Sequence, residues 1–468
     1  MARRHTKIVA TLGPASSSKE KIAALMGAGV NVFRLNFSHG THAVHKQNIE
    51  TIRALEKQHD DTIGIVADLQ GPKLRVGKVA EDTFLTVGET FTFFQEERLG
   101  NAQGATFPHP EIYPHLVEGT PLLLDDGNLQ VSVIEQAPDA IKTRVIVGGK
   151  LSSHKGVNIP SIQLPISSLT EKDRIDLQFI LGQDIDFIAL SFVQTAADIH
   201  ELRQLIPADK KILAKIEKPL AIQHMAAITE AADGLMVARG DLAVEIGEEY
   251  VPSMQKKIIQ HARTLDKIVI TATQMMESMI ESPTPTRAEV SDVVNAILDG
   301  TDTVMLSAET AAGKYPVKVI KEMNKICSAA EQDPITRISK HRVECHFNRI
   351  DEAIAMSAMY AANHMDVKAI IAMTESGSTP LWMSRIRSSL PIYALTPNTA
   401  TMGRMSLCLG VEPIAFSSTD YKPEHVNTAA IDLLIKRKLI HRGDLVLLTC
   451  GDHIGLHGGT NQIKILKA

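Results

Sequence analysis

Eight short apolar runs, most separated by segments of helical period, constrain what this chain can fold into. They cover residues 7–13, 31–38, 62–69, 186–193, 211–217, 234–240, 268–274 and 303–310. Such runs read as strands buried on both faces, which is the signature of parallel sheets carrying helical crossovers. Helix starts and stops punctuate the intervals: Ser17 with Glu20 fits a capping box before 19–26, and Thr170 with Asp173 opens a helix that Gly182 closes. Eight strands with intervening helices predict a (β/α)8 barrel.

The interval between the third and fourth runs breaks this rhythm. Residues 73–166 turn to short β-rich runs punctuated by Gly and Pro, too long for a structureless loop. An all-β domain inserted at the catalytic face accounts for them, and it could act as a lid that excludes water. After about residue 333 the βα alternation restarts, with a helix at 351–364 and strands at 368–373, 391–395, 444–450 and 462–466. The expected organisation is a discontinuous barrel (1–72 and 167–333), an inserted β-rich lid (73–166) and a C-terminal α/β domain (334–468).

The strand ends are where the chemistry collects. The fifth run ends in Lys215 and Glu217 and the sixth in Arg239 and Asp241, with a helical stretch between them. Parallel strands bring all four to one C-terminal edge, the side on which barrels build active sites. The second run delivers Arg34, Asn36 and Ser38 at alternate positions, on one face if the strand continues that far. Asp68, Ser191, Thr273, Ser307 and Glu309 end the third, fourth, seventh and eighth. Carboxylates there suit Mg²⁺ or Mn²⁺, and the cations suit a phosphorylated or carboxylated substrate. Simpler readings stand beside these: a structural Lys215–Glu217 or Lys215–Asp241 pair, helix caps at Thr273 and Ser307, and helix-start or solvent roles for His39, His42 and His45.

A net charge of −5 over 468 residues argues against a basic footprint for nucleic acid. No apolar run is long enough to span a membrane, and Cys327, Cys345, Cys408 and Cys450 lack metal-site spacing. A cytoplasmic enzyme with reduced, mostly buried thiols is expected.

Six ordered motifs carry a family resemblance. KIVATLGPAS from Lys7, FRLNFSHG from Phe33, AKIE from Ala214, MVARGDL from Met236, ATQMMESM from Ala272 and MLSAET from Met305 resemble those of pyruvate kinases, over essentially the whole chain. The resemblance implies a β-barrel lid, a homotetramer, and phosphoryl transfer from phosphoenolpyruvate to ADP, giving pyruvate and ATP. It implies Glu217 and Asp241 as Mg²⁺ ligands, Lys215 as the charge that stabilises the phosphoryl in flight, and Arg34 as phosphate clamp. Ala238, Arg239 and Gly240 would support substrate and metal through their backbone, and Thr273 would protonate the enolate through a relay extended by Ser307 and Glu309. Pro14, Asn36, His39 and Lys155 match nucleotide-side positions, with Arg75 either a phosphate contact or an interdomain brace. Val44 replaces a tyrosine found near the adenine in other members, which leaves the base contacts open.

Two departures from the family pattern bear on regulation and ions. Lys73 follows Asp68-Leu69-Gln70-Gly71-Pro72 where many members have the glutamate that accompanies K⁺. Its ammonium could replace that ion, so K⁺ is not expected to be required, although Asn36, Ser38, Asp68 and Leu69 still match the monovalent site. In the C-terminal domain, Thr374, Glu375, Ser376, Gly377, Ser378 and Thr379 match the family's effector phosphate loop, with a plain capping cluster as the alternative reading. Glu375 stands where bisphosphate-responsive members have lysine, and the loop 451–458 lacks the arginine or tryptophan that would hold a second phosphate. A sugar monophosphate or nucleoside monophosphate is therefore the expected activator. A metal-dependent lyase or aldolase and a non-catalytic metabolite sensor are the other function classes; ADP-dependent pyruvate formation separates the first, and turnover lost on changing Lys215 separates the second.

Overall fold

A computed structural model describes residues 4–160, 165–337, 346–452 and 458–468. Eight parallel strands close into a barrel: β1 (Lys7–Thr11), β2 (Val32–Asn36), β3 (Gly64–Asp68), β4 (Phe187–Leu190), β5 (Lys211–Ile216), β6 (Gly234–Ala238), β7 (Ile268–Ala272) and β8 (Thr303–Leu306). Each strand pairs with its sequence neighbour, and β8 closes on β1 in the register Lys7↔Thr303. The register Asn36↔Asp68 and Asp68↔Ala189 brings the ends of β2, β3 and β4 level, and Lys215↔Met236 with Ala238↔Ala272 does the same for β5, β6 and β7. That alignment is what gathers the polar strand ends at one mouth.

Alternation of side chains divides the barrel core in two. Val9, Val32, Phe187, Leu213, Met236, Ile270 and Met305 fill the interior, while Ile8, Phe33, Ile65, Ile188, Ile212 and Leu235 face the surrounding helices. The interior cluster runs without a break into the C-terminal domain, through Met405, Leu407 and Cys408. Beneath the barrel, Arg385 makes a two-oxygen ion pair with Asp302, both side chains fully closed to solvent. The barrel thus stands on the C-terminal domain, with its mouth at the opposite end.

Helix ends follow the sequence closely but not everywhere. Thr170 and Asp173 form the expected capping box, and Gly300 ends Arg287–Asp299 in the left-handed conformation. The cap of Lys19–Ala28 is Ser18, one residue later than expected, and its hydroxyl accepts the Lys21 N–H. Strand β2 stops at Asn36, so Ser38 lies in the following turn and does not share the strand face with Arg34.

The inserted segment is a curled six-stranded sheet with a separate two-stranded ribbon, around its own core of Phe91, Phe93, Phe107, Tyr113 and Val131. Its stem is the pair of chain crossings, where Val76 N–H donates to Lys155 O and Val157 N–H to Leu74 O. In the C-terminal domain a five-stranded sheet holds β9 (Ala369–Met373), β10 (Ile392–Thr396), β11 (Val411–Ala415), β12 (Leu445–Gly451) and an antiparallel β13 (Thr460–Lys467). Edge strand β11 carries Glu412 and Pro413, which hide it in the sequence. Cys327 and Cys408 are buried free thiols whose pKa is pushed up to about 12, burial being the largest cause; Cys345 lies outside the described residues. Among the described residues no helix is long and apolar enough to cross a membrane.

Candidate active site

The mouth of the barrel is organised around one buried ammonium. Lys215 Nζ donates to Ser191 Oγ at 2.7 Å and lies 2.9 Å from Glu217 Oε1 and 3.5 Å from Asp68 Oδ1. The second oxygen of Asp68 receives Arg34 Nε at 2.6 Å, and Arg34 Nη1 reaches Thr11 Oγ1 at 3.1 Å. Strands β2, β3 and β5 therefore share a chain of alternating charge, arginine to aspartate to lysine to glutamate.

Burial sets the electrostatics of this chain. It works against both charged forms, yet the pKa of Lys215 is raised because Asp68 and Glu217 outweigh it. Burial alone would raise the Asp68 carboxyl, and Lys215 and Arg34 hold it below its ordinary value instead. Glu217 goes the other way: burial lifts its carboxyl, Lys215 opposes the lift, and the nearby Asp241 adds to it. Glu217 Oε2 accepts the Phe192 N–H at 2.7 Å, while the buried Oε1 faces the Lys215 ammonium at 2.9 Å. Two carboxylates this close, Glu217 and Asp241, would suit a hard divalent cation.

The β6 and β7 ends supply backbone donors and strain. Helix Arg239–Ile246 starts directly after β6, and Gly240 N–H donates to Thr273 Oγ1 at 2.7 Å. Thr273 and Gln274 both have positive φ, 67° and 53°, a costly conformation for side-chain-bearing residues. The strain turns the Thr273 hydroxyl inward, toward Gly240 and the Ala272 carbonyl. Asp241, in the first turn of the helix, lies 3.5 Å from Lys73 Nζ at the root of the inserted domain.

Several expected groups take other positions. Arg239 does not offer its guanidinium to the mouth: Nη1 lies 2.7 Å from both oxygens of Asp292, and Nη2 donates to Thr273 O at 2.6 Å. Its strand-end charge supports the strained turn instead of an anion. Glu309 likewise does not extend a relay from Thr273. Its two oxygens accept the Ser307 N–H at 2.7 Å and the Met276 N–H at 3.3 Å, so it ties the loop after β7 to the end of β8. The Ser307 hydroxyl makes no cap bond to the helix that follows.

On the nucleotide side the candidate residues are spread. Pro14 and His39 are exposed beside the mouth, and Asn36 Oδ1 accepts the Ser38 N–H at 3.1 Å. Lys155 pairs with Asp125 at 2.6 Å within the inserted domain, and Arg75 Nη1 donates to His154 O at 2.9 Å, bracing the two chain crossings. His42 pairs with Asp176, and His45 Nε2 meets the His39 carbonyl, so these histidines secure the loop after β2. Leu69 O accepts the Ser191 hydroxyl, so three of the four monovalent-site candidates, Asn36, Asp68 and Leu69, already accept a hydrogen bond.

The second candidate site lies at the far end of the C-terminal domain. Residues 374–377 form the loop before helix Ser378–Arg385, with Gly377 at φ 83° as its cap and Pro380 in the first turn, two residues after the helix begins. Gly377 N–H donates to Thr374 Oγ1, Ser376 and Ser378 share a hydroxyl contact at 2.9 Å, and Glu375 O accepts from Thr401. The loop opens on a cavity of about 430 Å³, also lined by Thr379, Asn427 and Lys464. Residues 453–457 of the final loop lie outside the described residues.

Residues sequence reasoning missed include Lys218, Glu245 and Asn158, a buried polar group beside the mouth. The one available signal was Glu245 standing four positions after Asp241 on a helix.

Comparison with known proteins agrees with this geometry over the full length. Residues 3–320 match the family model described as "Pyruvate kinase, barrel domain", and residues 352–466 match "Pyruvate kinase, alpha/beta domain". A pyruvate kinase of Buchnera aphidicola from Acyrthosiphon pisum is 45% identical over 474 aligned residues, covering 99% of this chain and 98% of that protein. Pyruvate kinase II of Salmonella typhimurium is 44% identical at 99% and 98% coverage. A crystal structure of a Cryptosporidium parvum pyruvate kinase superposes with a TM-score of 0.92 at 34% identity, covering 99% of this chain and 96% of that one. The chain belongs to the pyruvate kinase family.

Proposed function

We propose that the mouth built around Lys215, Glu217 and Asp241 carries out the family's reaction, transfer of the phosphoryl group of phosphoenolpyruvate to ADP. The observation that carries this reading is the buried ammonium of Lys215 held among Ser191, Asp68 and Glu217. Fixed positive charge in a dry site is the main device available for stabilising a phosphoryl group in flight and the enolate it leaves. Arg34, anchored by Asp68, presents its remaining guanidinium edge to the phosphate. Asp241 and Glu217 would hold the divalent ion, the two carboxylates lying close enough to influence each other's charge. Bound there, Mg²⁺ or Mn²⁺ supplies Lewis-acid charge to the substrate oxygens.

Thr273 is the group placed to deliver a proton to the enolate carbon, its hydroxyl being set by Gly240 and Ala272. Ser307 and Glu309 act by position, keeping the ends of β7 and β8 together. Pro14, Asn36, His39, Arg75 and Lys155 form the nucleotide side. The functional units are 1–72 with 167–333 for catalysis, 73–166 as lid, and 334–468 as effector domain.

Lys73 supplies the charge that a monovalent ion brings elsewhere, so turnover is K⁺-independent. Its support is the 3.5 Å approach to Asp241, together with the prior engagement of Asn36, Asp68 and Leu69. The 374–379 loop binds the phosphate of a sugar or nucleoside monophosphate, supported by its hydroxyls and the adjoining cavity. A homotetramer and a cytoplasmic location come from the family resemblance as parts of the same proposal. The reading is tested with Lys215→Met: equilibrium dialysis should still detect bound phosphoenolpyruvate while ATP formation is lost. Turnover surviving near the parent rate would remove Lys215 from the reaction.

A further inference from the structure

Helix Arg239–Ile246 carries two carboxylates one turn apart, Asp241 and Glu245, and both meet the root of the inserted domain. Asp241 faces Lys73 on the outgoing chain crossing at 3.5 Å. Glu245 Oε1 accepts Asn158 Nδ2 at 2.8 Å, and Asn158 is the last residue of the final inserted strand, on the returning crossing. The same oxygen receives the ammonium of Lys218, the residue after Glu217. Lys218 also lies 6.0 Å from the Phe192 ring centroid, and it is the Phe192 N–H that fixes Glu217. One short helix, whose first turn belongs to the active site, thus holds both legs of the stem.

The Glu245 carboxylate is filled unevenly. Asn158, Lys218 and Glu245 are each about 5% exposed, yet both donors crowd Oε1. Glu245 Oε2 is buried with no hydrogen-bond partner among the described residues. A buried ion pair adds little stability by itself, and a buried empty acceptor costs some. Such a group makes physical sense where its partners occupy two positions at different times. The stem is narrow: its two chain crossings are tied to each other by the Val76 and Val157 backbone bonds and by Arg75 on the His154 carbonyl.

We propose that Glu245 is a positioning residue for the phosphoryl transfer, acting as a two-seat latch for the lid. In the arrangement seen, Asn158 sits on Oε1 beside Lys218; when the inserted domain closes over the nucleotide, Asn158 passes to Oε2 and Lys218 keeps Oε1. Lys218 is the fixed pivot, and Asn158 is the moving part. The latch sets how far Lys155 and Arg75 swing toward ADP without touching any reacting atom. The inference rests on reading residues 73–166 as a lid that serves the nucleotide.

Two variants test it in the full-length enzyme, Asn158→Ala and Asn158→Asp. Both leave the Lys218–Glu245 pair in place; the alanine variant adds no charge, whereas the aspartate variant adds a carboxylate beside Glu245. Amide hydrogen exchange is followed in the stem segments 73–77 and 155–159, alongside KM for ADP and for phosphoenolpyruvate. With the alanine variant, stem exchange should quicken about tenfold, the factor expected for losing one hydrogen bond to a charged group. KM for ADP should rise by a similar factor while KM for phosphoenolpyruvate stays within about twofold, since the barrel alone binds that substrate. The aspartate variant, with like charge facing Glu245, should exceed the alanine variant in both readouts. Unchanged stem exchange in both variants would overturn the latch. Faster exchange with an unmoved ADP constant would keep the hinge contact and overturn the lid reading on which its role depends. A common shift of both KM values with a lowered melting temperature would reduce Asn158 to a structural residue and overturn the proposal.

Discussion

Lys215 Nζ lies 2.9 Å from Glu217 Oε1 with both side chains nearly closed to solvent, so the ammonium is the counter-charge of the site before any substrate arrives. Removing it leaves Asp68 and Glu217 as buried carboxylates with less compensation. Lys215→Met should therefore lower folding stability by about 3–5 kcal/mol, the usual cost of breaking a buried pair from one side. Millimolar Mg²⁺ should restore part of that loss, because the cation replaces the missing charge. Calorimetric melting with and without Mg²⁺ checks it; a variant that melts with the parent in both conditions would contradict the arrangement.

Asp68 gives the site a pH signature. Its folded pKa is depressed despite burial, because Lys215 and Arg34 favour the carboxylate. A depressed folded pKa contributes stability that is present above the unfolded value, about 3.9, and is lost as pH falls through the folded one. Urea midpoints of the parent should fall steeply below about pH 4. Asp68→Asn should start less stable and show a shallower fall over that window. Parallel curves for the two proteins would show that Asp68 is not the linked group.

Arg385 holds the C-terminal domain to the barrel floor. Its guanidinium bonds Asp302 and the Lys267 carbonyl, and Arg263 donates to the Arg385 carbonyl at 2.6 Å. Arg385→Met leaves Asp302 buried without this cation, at a cost of about 3–5 kcal/mol. Since helix Ser378–Arg385 begins at the proposed effector loop, the same variant should also blunt the proposed activation by phosphorylated effectors. Melting and an effector titration check both parts; full activation with an unchanged melting temperature would refute them.

The proposed effector selectivity rests on what surrounds the 374–379 loop. Thr374, Glu375, Ser376, Ser378 and Thr379 all line the cavity beside the loop. Titrations at subsaturating phosphoenolpyruvate should show stronger activation by a sugar or nucleoside monophosphate than by fructose bisphosphate. Ser376→Ala should weaken that activation several-fold, in line with about 1 kcal/mol for one hydroxyl contact. Fructose bisphosphate emerging as the strongest activator would contradict the assignment.

How much of this was legible in the sequence differed by kind of residue. The eight barrel strands were readable because strands buried on both faces leave continuous apolar runs such as 186–193 and 211–217. Lys215, Glu217 and Asp241 stood out as charge at the ends of such runs. Edge strand Val411–Ala415 was invisible, because Glu412 and Pro413 erase the pattern that burial imposes elsewhere. Arg239 and Glu309 showed a different limit. Both are charges at strand ends, but Arg239 turns to Asp292, 53 residues away, and Glu309 to the Met276 N–H, 33 residues away. Period and spacing locate a side chain on an element; only packing decides which long-range partner it meets. Asn158, Lys218 and Glu245 illustrate the same point, coming from three separated segments that converge only in the folded chain.

The most direct test of the account concerns Lys73 and the monovalent ion it is proposed to replace. Phosphoenolpyruvate-dependent ATP formation from ADP and Mg²⁺ would be measured in K⁺ buffer and in tetramethylammonium buffer, for the parent and for Lys73→Glu. The parent should turn over equally in both buffers, whereas the glutamate variant should lose most of its activity in tetramethylammonium and recover it in K⁺. A parent enzyme stimulated many-fold by K⁺ would contradict the account, leaving the 3.5 Å contact between Lys73 and Asp241 a structural one.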